Sequence, residues 1–267
     1  MSFIVSSLHI YPIKSCRGID LEHSSIDSRG LKHDRSWLII GNDGTAITQR
    51  DVPQLAMVKT RVVDEQTIAL SFDGQQDLTL RRDKSGARTK ANVWGDEIDA
   101  IDQGSDAAAW FSKITEIPSR LVIMADEFVR PVNQKKVEGD FRVGFADSHP
   151  LLIISKASLE ELNTRLSSPV PMNRFRPNVV VAGCEAFAED DWKQIRIGQI
   201  LFDLTKPCAR CVMVTIDQES AQGNVEPLKT LATYRSVGNK VMFGQNMVHH
   251  AEGRIAIGDK VEVISKA

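Results

Sequence analysis

Two of the four cysteines in this 267-residue chain form the segment Cys208-Ala-Arg-Cys211. Cysteine reacts or binds a metal as the thiolate, and the permanent charge of Arg210 favours that form. The pair stands directly before the apolar run 212–216, so we expect a loop that enters a strand. A thioredoxin-like pair would instead lie at a helix N-terminus after a strand. From the spacing alone, two buried thiols without a chemical role are an equally good interpretation.

A structural zinc site is poorly supported by the sequence. Such a site usually needs four ligands, commonly two cysteine pairs. The remaining cysteines, Cys16 and Cys184, are isolated, and no paired histidines stand at ligand spacing. The chain also lacks a Gly-x-Ser-x-Gly elbow, and no Ser, His and acid set has the spacing of a catalytic triad.

The segment Arg174-Phe-Arg-Pro-Asn178 is a second candidate. Pro177 restricts the backbone and biases Arg176 away from helix. A rigid arginine beside Asn178 suits an anionic ligand that is rich in heteroatoms. Taken alone, however, an interstrand salt bridge together with a turn asparagine is the better interpretation.

Two further loops combine cations or imidazole with hydroxyl groups. Lys14 and Ser15 stand in the loop 11–18, which lacks the glycine spacing of a P-loop but could contact a phosphate. Arg35 adds a cation just before an apolar run. The alternative for each is an exposed basic loop. Ser148 and His149 stand at the entrance of another apolar run.

Taken together, the cations point to one kind of site. Each stands at a loop–strand junction, and one is next to a cysteine; they are Lys14, Arg35, Arg176 and Arg210. This set is typical of a site for an anionic cofactor whose metal takes a thiolate.

Short apolar runs between Gly, Pro and Asp turns predict the elements that position these residues. The predicted strands are 3–11, 36–40, 55–63, 67–72, 121–124, 151–154, 178–181, 194–197, 200–204, 212–216 and 260–264, and a further strand is expected to end at 92–96. Ser105 is expected to cap one helix, and Ser158 to open a second with Glu161 in a capping box. Segment 126–147 predicts a long irregular connection that covers a site. The pattern favours an α+β, β-rich fold of β-barrel-like architecture.

Composition excludes several classes of protein. The chain has 33 Lys+Arg against 35 Asp+Glu, and 42% of its residues are hydrophobic, which is ordinary for a globular protein. Near-neutral charge gives no long-range attraction for nucleic acid or an anionic membrane. The first residues lack a signal peptide, and no apolar run reaches the roughly 18 residues of a membrane span. We therefore expect a cytoplasmic protein with reduced thiols, no membrane span and no nucleic-acid partner.

The motifs resemble the MOSC-domain family, and in particular the branch of the mitochondrial amidoxime-reducing component and its bacterial relatives. The N-terminal motifs are Tyr11–Gly18, Asp34-Arg35 and Val93–Asp96. The C-terminal motifs are, in order, Phe175–Asn178, Cys208–Cys211, Thr215-x-Asp217, Glu226–Leu228, Tyr234-Arg235, Phe243-Gly244 and Gly258-Asp259. The resemblance covers nearly the whole chain. It implies an N-terminal MOSC-associated β-barrel domain at 1–122 and a MOSC β-barrel domain with a few helices at 123–267.

The resemblance implies a molybdenum–molybdopterin cofactor and an enzyme that reduces N-hydroxylated or N-oxygenated compounds. Cys211 would be the catalytic residue and the molybdenum ligand. The implied cofactor contacts are Lys14, Ser15, Arg35, Ser148, His149, Arg176, Asn178, Ala209 and Arg210. Ala209 and His149 stand where hydroxyl residues are expected, a departure that concerns substrate specificity more than cofactor binding. Pyridoxal phosphate binding is a further label of the family, without an assigned residue here.

The implied partners are a small N-oxygenated substrate and a separate flavin or iron–sulfur electron donor. No cysteine follows Cys211, so we expect no iron–sulfur cluster in this chain, and no Gly-x-Gly-x-x-Gly nucleotide loop is present. Asp217 and His149 are candidates for the proton steps. Two alternatives stay open: a sulfur carrier that holds a persulfide on Cys211, and a cofactor-binding or chaperone protein without turnover.

Overall fold

The computed structural model describes residues 2–132, 137 and 139–266. The strands in these residues are β1 (Phe3–Ile10), β2 (Ile19–Leu21), β3 (His23–Asp27), β4 (Gly30–Leu31), β5 (Trp37–Gly41), β6 (Lys59–Val62), β7 (Thr67–Ser71), β8 (Leu78–Arg81), β9 (Arg88–Val93), β10 (Asp96–Asp102), β11 (Ser119–Met124), β12 (Leu151–Ser155), β13 (Val179–Ala182), β14 (Trp192–Ile197), β15 (Ile200–Arg210), β16 (Ser236–Val237), β17 (Lys240–His249), β18 (Gly253–Ala256) and β19 (Lys260–Lys266). The α-helices are α1 (Ser105–Thr115), α2 (Lys156–Arg165) and α3 (Leu228–Ala232). Across the described ranges, no helix combines the length and the hydropathy that crossing a membrane requires.

Seven strands close a barrel in the order β12-β13-β1-β19-β14-β15-β17, because β17 pairs back with β12. β12 and β13 are parallel, and the other neighbours are antiparallel. Closure removes the unpaired sheet edges, and apolar side chains such as Leu8, Ile153, Ile195 and Phe202 form the core. β1 comes from the N-terminal end of the chain, yet it pairs with two C-terminal strands, β13 and β19.

The N-terminal half forms a four-stranded antiparallel sheet, β5-β11-β10-β9, and a three-stranded sheet, β6-β7-β8. Helix α1 places Trp110, Phe111 and Ile114 in the core of this half. β18 joins β3 and β4 in a further small sheet. The α+β, β-rich fold predicted from the sequence is therefore confirmed. The division at residues 122/123 stays a prediction, and β1 is the strand that crosses it.

Four local predictions were wrong, and the first three concern the starts of α2, α1 and β6. Helix α2 begins at Lys156, and its N-cap is Ser155, whose hydroxyl accepts a hydrogen bond from the Ser158 amide at 3.0 Å. Helix α1 follows Gly104 and has no side-chain cap, so Ser105 is its first residue rather than its cap. The predicted strand at 55–63 divides into the 3-10 helix Pro53–Met57, with proline in its first turn, and β6.

The segment after the cysteine pair is a 3-10 helix, Val212–Thr215, and not a strand. The Thr215 hydroxyl donates to the Val212 carbonyl at 2.7 Å, a local bond that β-propensity does not anticipate. β15 instead extends through Cys208 to Arg210. Cys208 therefore lies within β15 and Cys211 directly follows the strand, whereas the sequence predicted a pair that precedes a strand.

The connection between β11 and β12 is irregular over most of its described length, as predicted. Residues 133–136 and 138 lie outside the described part. Arg130 is buried and fastens the connection: its guanidinium donates to the Asp96 carboxylate at 2.8 Å and to the Gly144 carbonyl at 2.9 Å. The end of the connection, from Ala146 to His149, forms part of a cavity wall.

Candidate functional site

A cavity of about 460 Å³ receives residues from loops of the N-terminal half and from β15, β17 and the 3-10 helix after β15. All ten residues that the resemblance implies as cofactor contacts or metal ligand line it: Lys14, Ser15, Arg35, Ser148, His149, Arg176, Asn178, Ala209, Arg210 and Cys211. Asp217, the other candidate for the proton steps, is not among the lining residues. The tertiary structure thus brings together residues from five separate segments. Their roles in binding or catalysis stay predictions.

The cavity wall is strongly cationic. Its lysines and arginines are Lys14, Arg35, Arg50, Arg174, Arg176, Lys206, Arg210 and Lys240. Among the described residues, Asp147 is the only carboxylate in the wall. Such a concentration of one sign in a cleft with low-dielectric walls attracts and holds an anionic ligand.

Tyr11 organises two of these cations. The guanidinium carbon of Arg35 lies 4.2 Å from the centroid of the Tyr11 ring, and that of Arg176 lies 4.1 Å from it. The Tyr11 hydroxyl donates to the Pro177 carbonyl at 3.1 Å, and burial raises the pKa of Tyr11 to about 12, so the phenol stays neutral. The ring therefore positions both guanidinium groups without neutralising either.

The two arginines differ in their ionic partners. Arg35 donates to both Asp34 carboxylate oxygens, at 2.8 and 2.7 Å. Arg176 is only 8% exposed and makes no ion pair with any described residue; its hydrogen bond to the Gln218 side chain is long, at 3.5 Å. The salt-bridge interpretation of Arg176 was therefore wrong. Burial lowers the pKa of Arg176 to about 10, so the group is charged at neutral pH.

Lys14 and Ser15 are buried, so the interpretation as an exposed basic loop was wrong for both. The Lys14 ammonium donates to the Phe145 carbonyl at 2.9 Å and forms an ion pair with Asp147. Burial lowers the pKa of Lys14. Burial also acts to raise the pKa of Asp147, but the charge of Lys14 outweighs it and holds that pKa below its usual value.

Four buried polar atoms in the wall have no hydrogen-bond partner within the described chain: Ser15 Oγ, His149 Nε2, Arg174 Nε and Arg210 Nε. Burial lowers the pKa of His149 to about 3, so its ring is neutral, and Nδ1 lies 2.9 Å from the Ser148 hydroxyl. Buried polar groups are ordinarily hydrogen-bonded, since leaving one unpaired costs about 1–3 kcal/mol. These atoms and the unpaired Arg176 fit an anionic ligand rich in oxygen and nitrogen.

Both cysteines of the pair line the cavity and are half-buried, unlike the fully buried Cys16. The guanidinium of Arg210 contacts Cys208, with Nη1 at 3.0 Å from Sγ. The cation at Cys211 is a different residue, Arg50, whose Nη2 lies 3.2 Å from Sγ. Within the described ranges, no three His, Cys, Asp or Glu side chains are grouped to hold a metal ion.

Asn178 joins segments of the barrel. Its side-chain oxygen accepts from the Leu152 amide and from Arg35 Nη1, both at 3.2 Å, and its amide donates to the His9 carbonyl at 3.2 Å. Asn178 thus holds Arg35 in place at the junction of three segments. Ala209 lines the cavity from the exposed end of β15.

Arg50 and Arg174 line the cavity but were not predicted from the sequence as site residues. Arg174 stood in a motif that was recognised, and its guanidinium pairs with Asp217 at 2.6 Å. Arg50 carries no local signal, because its contact with Cys211 joins residues 161 positions apart.

Comparison with known proteins identifies the family. Residues 2–118 match the MOSC N-terminal beta barrel domain, and residues 140–262 match the MOSC domain. Mitochondrial amidoxime-reducing component 1 of Mus musculus is 33% identical over 98% of this chain and 82% of that protein. Molybdenum cofactor sulfurase of Oryza sativa subsp. japonica is 31% identical over 90% of this chain and 32% of that protein. The crystal structure of the YUAD protein from Bacillus subtilis covers 98% of this chain and 95% of that one, at 10% identity and a TM-score of 0.43. The chain therefore belongs to the MOSC family and combines its N-terminal beta barrel domain with the MOSC domain.

Proposed function

We propose that this chain is a molybdenum-cofactor-dependent enzyme that reduces N-hydroxylated or N-oxygenated compounds with electrons from a separate protein. The observation that carries the proposal is the position of Cys211, whose thiol lines a cationic cavity with buried, unpartnered donors. The names of the relatives support it, since the mouse protein is named for reducing amidoximes and the rice protein for the molybdenum cofactor.

The side chains present fit this cofactor. Cys211 would supply a soft thiolate to molybdenum, beside the dithiolene sulfurs of the pterin. Lys14 and Arg176 would neutralise its phosphate, and the Ser15 hydroxyl and His149 Nε2 would take up hydrogen bonds that the chain itself leaves unmade. When bound, the cofactor supplies two-electron oxygen-atom chemistry.

The balanced reaction consumes two electrons and two protons for each N–O bond that breaks, and it releases the amine or amidine and water. Arg50, beside Cys211, would hold the substrate oxygen near the metal ligand. Asp217 is a poor proton donor: hydrogen bonds from Ser220 and Glu219 and the charge of Arg174 overcome its burial and lower its pKa. The ring of His149 is also neutral at neutral pH, because its pKa is about 3. Neither of the two proton donors suggested by the sequence is therefore in its acidic form at neutral pH.

The proposal includes a flavin or iron–sulfur protein as the electron donor. It also includes a cytoplasmic location, although the mouse relative is named as mitochondrial. Pyridoxal phosphate binding stays a prediction without an assigned residue.

The deciding experiment is metal and pterin analysis of protein purified from a host that makes the molybdenum cofactor. We expect close to one molybdenum and one pterin per chain, and reduction of a hydroxylamine by reduced viologen.

The rice relative's name gives one reason to keep a sulfur carrier as a second candidate. Mass spectrometry separates the two, since a labile extra sulfur on Cys211 without bound molybdenum would support the carrier.

A further inference from the structure

Gln218 is a neutral residue between two acidic neighbours, and each neighbour pairs with an arginine. The Asp217 carboxylate lies 2.6 Å from the Arg174 guanidinium, and the Glu219 carboxylate forms an ion pair with Arg17. Both carboxylates next to Gln218 therefore offset the charge of an arginine. The residue between them offers only an uncharged amide.

The Gln218 side chain is buried and uses all of its hydrogen-bonding groups. Its nitrogen donates to the Ile216 carbonyl at 3.0 Å and to the Gln49 side-chain oxygen at 3.2 Å. Gln49 is fully buried, and its nitrogen donates back to the Gln218 oxygen at 3.2 Å and to the Ser15 carbonyl at 2.6 Å. Because two acceptors face one end of the Gln218 amide, that end is the nitrogen, and the oxygen faces Arg176.

This oxygen is the group of Gln218 that meets Arg176, with Oε1 3.5 Å from Nη1. A carboxylate in the same place would lie within the distance at which opposite charges pair, and it would offset the guanidinium charge strongly at this buried position. Arg176 has no ion-pair partner in the described part of the chain, and it lines the cavity. Its charge therefore remains available to an anion in the cavity.

The unpaired charge of Arg176 is a cost to the free protein, since a buried cation is stabilised when a carboxylate pairs with it and its polar atoms are hydrogen-bonded. The hydrogen bonds of Gln218 and Gln49 explain why two amides pack well together here. They do not explain why the one cation beside them lacks a partner. Groups that reduce stability in this way are expected at functional sites.

We propose that Gln218 is a positioning residue that keeps Arg176 unpaired for the anionic ligand of the cavity. Its neutral oxygen orients the guanidinium without competing with the anionic oxygens of the ligand, and Gln49 holds the Gln218 amide in the required orientation. Neither glutamine is among the residues that line the cavity, so both act through Arg176. This inference rests on the anionic cofactor of the proposed function and adds the residues that set the affinity for it.

Two substitutions at this position separate the effect of charge from the effect of packing. Gln218→Met and Gln218→Glu both lose the two hydrogen bonds that the amide nitrogen donates, so both should lower the Tm of the cofactor-free chain. Only glutamate places a negative charge beside Arg176, and the guanidinium favours the ionised carboxylate. Gln222→Glu is the matched control, because it adds the same charge at an exposed position four residues along the chain.

The first measurement is the Kd of inorganic pyrophosphate, by calorimetry on the cofactor-free full chain at about pH 8, where a carboxylate beside a cation is ionised. Because Gln218→Glu offsets the charge of a ligand-binding arginine, we expect it to raise this Kd roughly tenfold or more. Gln218→Met and Gln222→Glu should change the Kd by less than about threefold, which is below 1 kcal/mol. The second measurement is the molybdenum content of each variant purified from a host that makes the cofactor, which should be lowest in Gln218→Glu.

Equal losses of pyrophosphate affinity in Gln218→Met and Gln218→Glu would make Gln218 a packing residue and overturn the inference. In the Arg176→Met background the two variants should bind pyrophosphate alike, and a remaining difference would show that the charge does not act through Arg176. The expected order of Kd values in a protein that holds no molybdenum would leave the inference standing and refute the proposed enzyme. Bound molybdenum together with equal Kd values for the two variants would do the reverse, and a wild type that binds neither pyrophosphate nor the cofactor would overturn both.

Discussion

Replacing Arg176 by methionine separates the cost of burying its charge from the benefit of binding an anion. Arg176 is 8% exposed and has no carboxylate partner among the described residues. The lowering of its pKa from 12.5 to about 10 by burial corresponds to a cost of about 3 kcal/mol for keeping it charged. Methionine removes this cost and loses the contact with the Tyr11 ring, which contributes about 1 kcal/mol.

The cofactor-free variant should therefore be more stable than the wild type by about 1–2 kcal/mol, or roughly 2–8 °C in Tm. In the cofactor-loaded protein, the same substitution should instead be unfavourable, because it weakens cofactor binding. Loss of a charged hydrogen bond costs about 1.5–3 kcal/mol, a roughly 10–150-fold loss of cofactor affinity. Arg176→Lys should recover only part of the affinity, since an ammonium group cannot form the bidentate contact of a guanidinium.

Scanning calorimetry of cofactor-free and loaded protein, with molybdenum analysis at limiting cofactor, measures both effects. Arg174→Met is the matched control from the same wall. Arg174 has an ionic partner, Asp217 at 2.6 Å, so its loss should leave the Tm of the cofactor-free chain unchanged or lower. A lower Tm for cofactor-free Arg176→Met together with unchanged cofactor occupancy would refute the reasoning and make Arg176 a structural residue.

Three further predictions concern the ligand, the electron supply and acid stability. Cys211→Ala should lose bound molybdenum and activity with an unchanged circular dichroism spectrum, while Cys208→Ala should be milder; equal behaviour would contradict the ligand assignment. The purified chain should be inert with NADPH until reduced viologen or a protein donor is added, and turnover with NADPH alone would reveal a nucleotide site. Because the pKa of Asp147 is lower in the folded chain than the unfolded value of about 3.9, its pairing with Lys14 stabilises the fold above that pH and is lost as the pH falls through the folded pKa. Asp147→Asn should therefore lower the Tm by a constant amount between about pH 5 and 7, and the difference should shrink below about pH 4; a difference that grew on acidification would refute this.

Short-range patterns in the sequence determined much of this protein. Runs of β-branched residues between turn residues located most of the strands, such as Leu151–Ser155, because alternation and turn chemistry act within a few residues. The Cys-x-x-Cys and Arg-Pro-Asn segments marked the site, since their chemistry depends on residue type and local backbone. Where a local bond competed with propensity, as at Thr215, the prediction failed.

Only the tertiary structure decided which arginine contacts which cysteine sulfur. Arg210 is adjacent to Cys211 in the sequence, yet it contacts Cys208, because it lies on β15 and the strand ends before Cys211. Arg50 reaches Cys211 instead, from a turn fixed by Thr48 and Asp51. Likewise, the closed barrel takes β1 from the opposite end of the chain to satisfy its sheet edges. Burial, charge pairing and closure of the barrel depend on residues that are far apart in the sequence. They therefore cannot be predicted from a local sequence pattern.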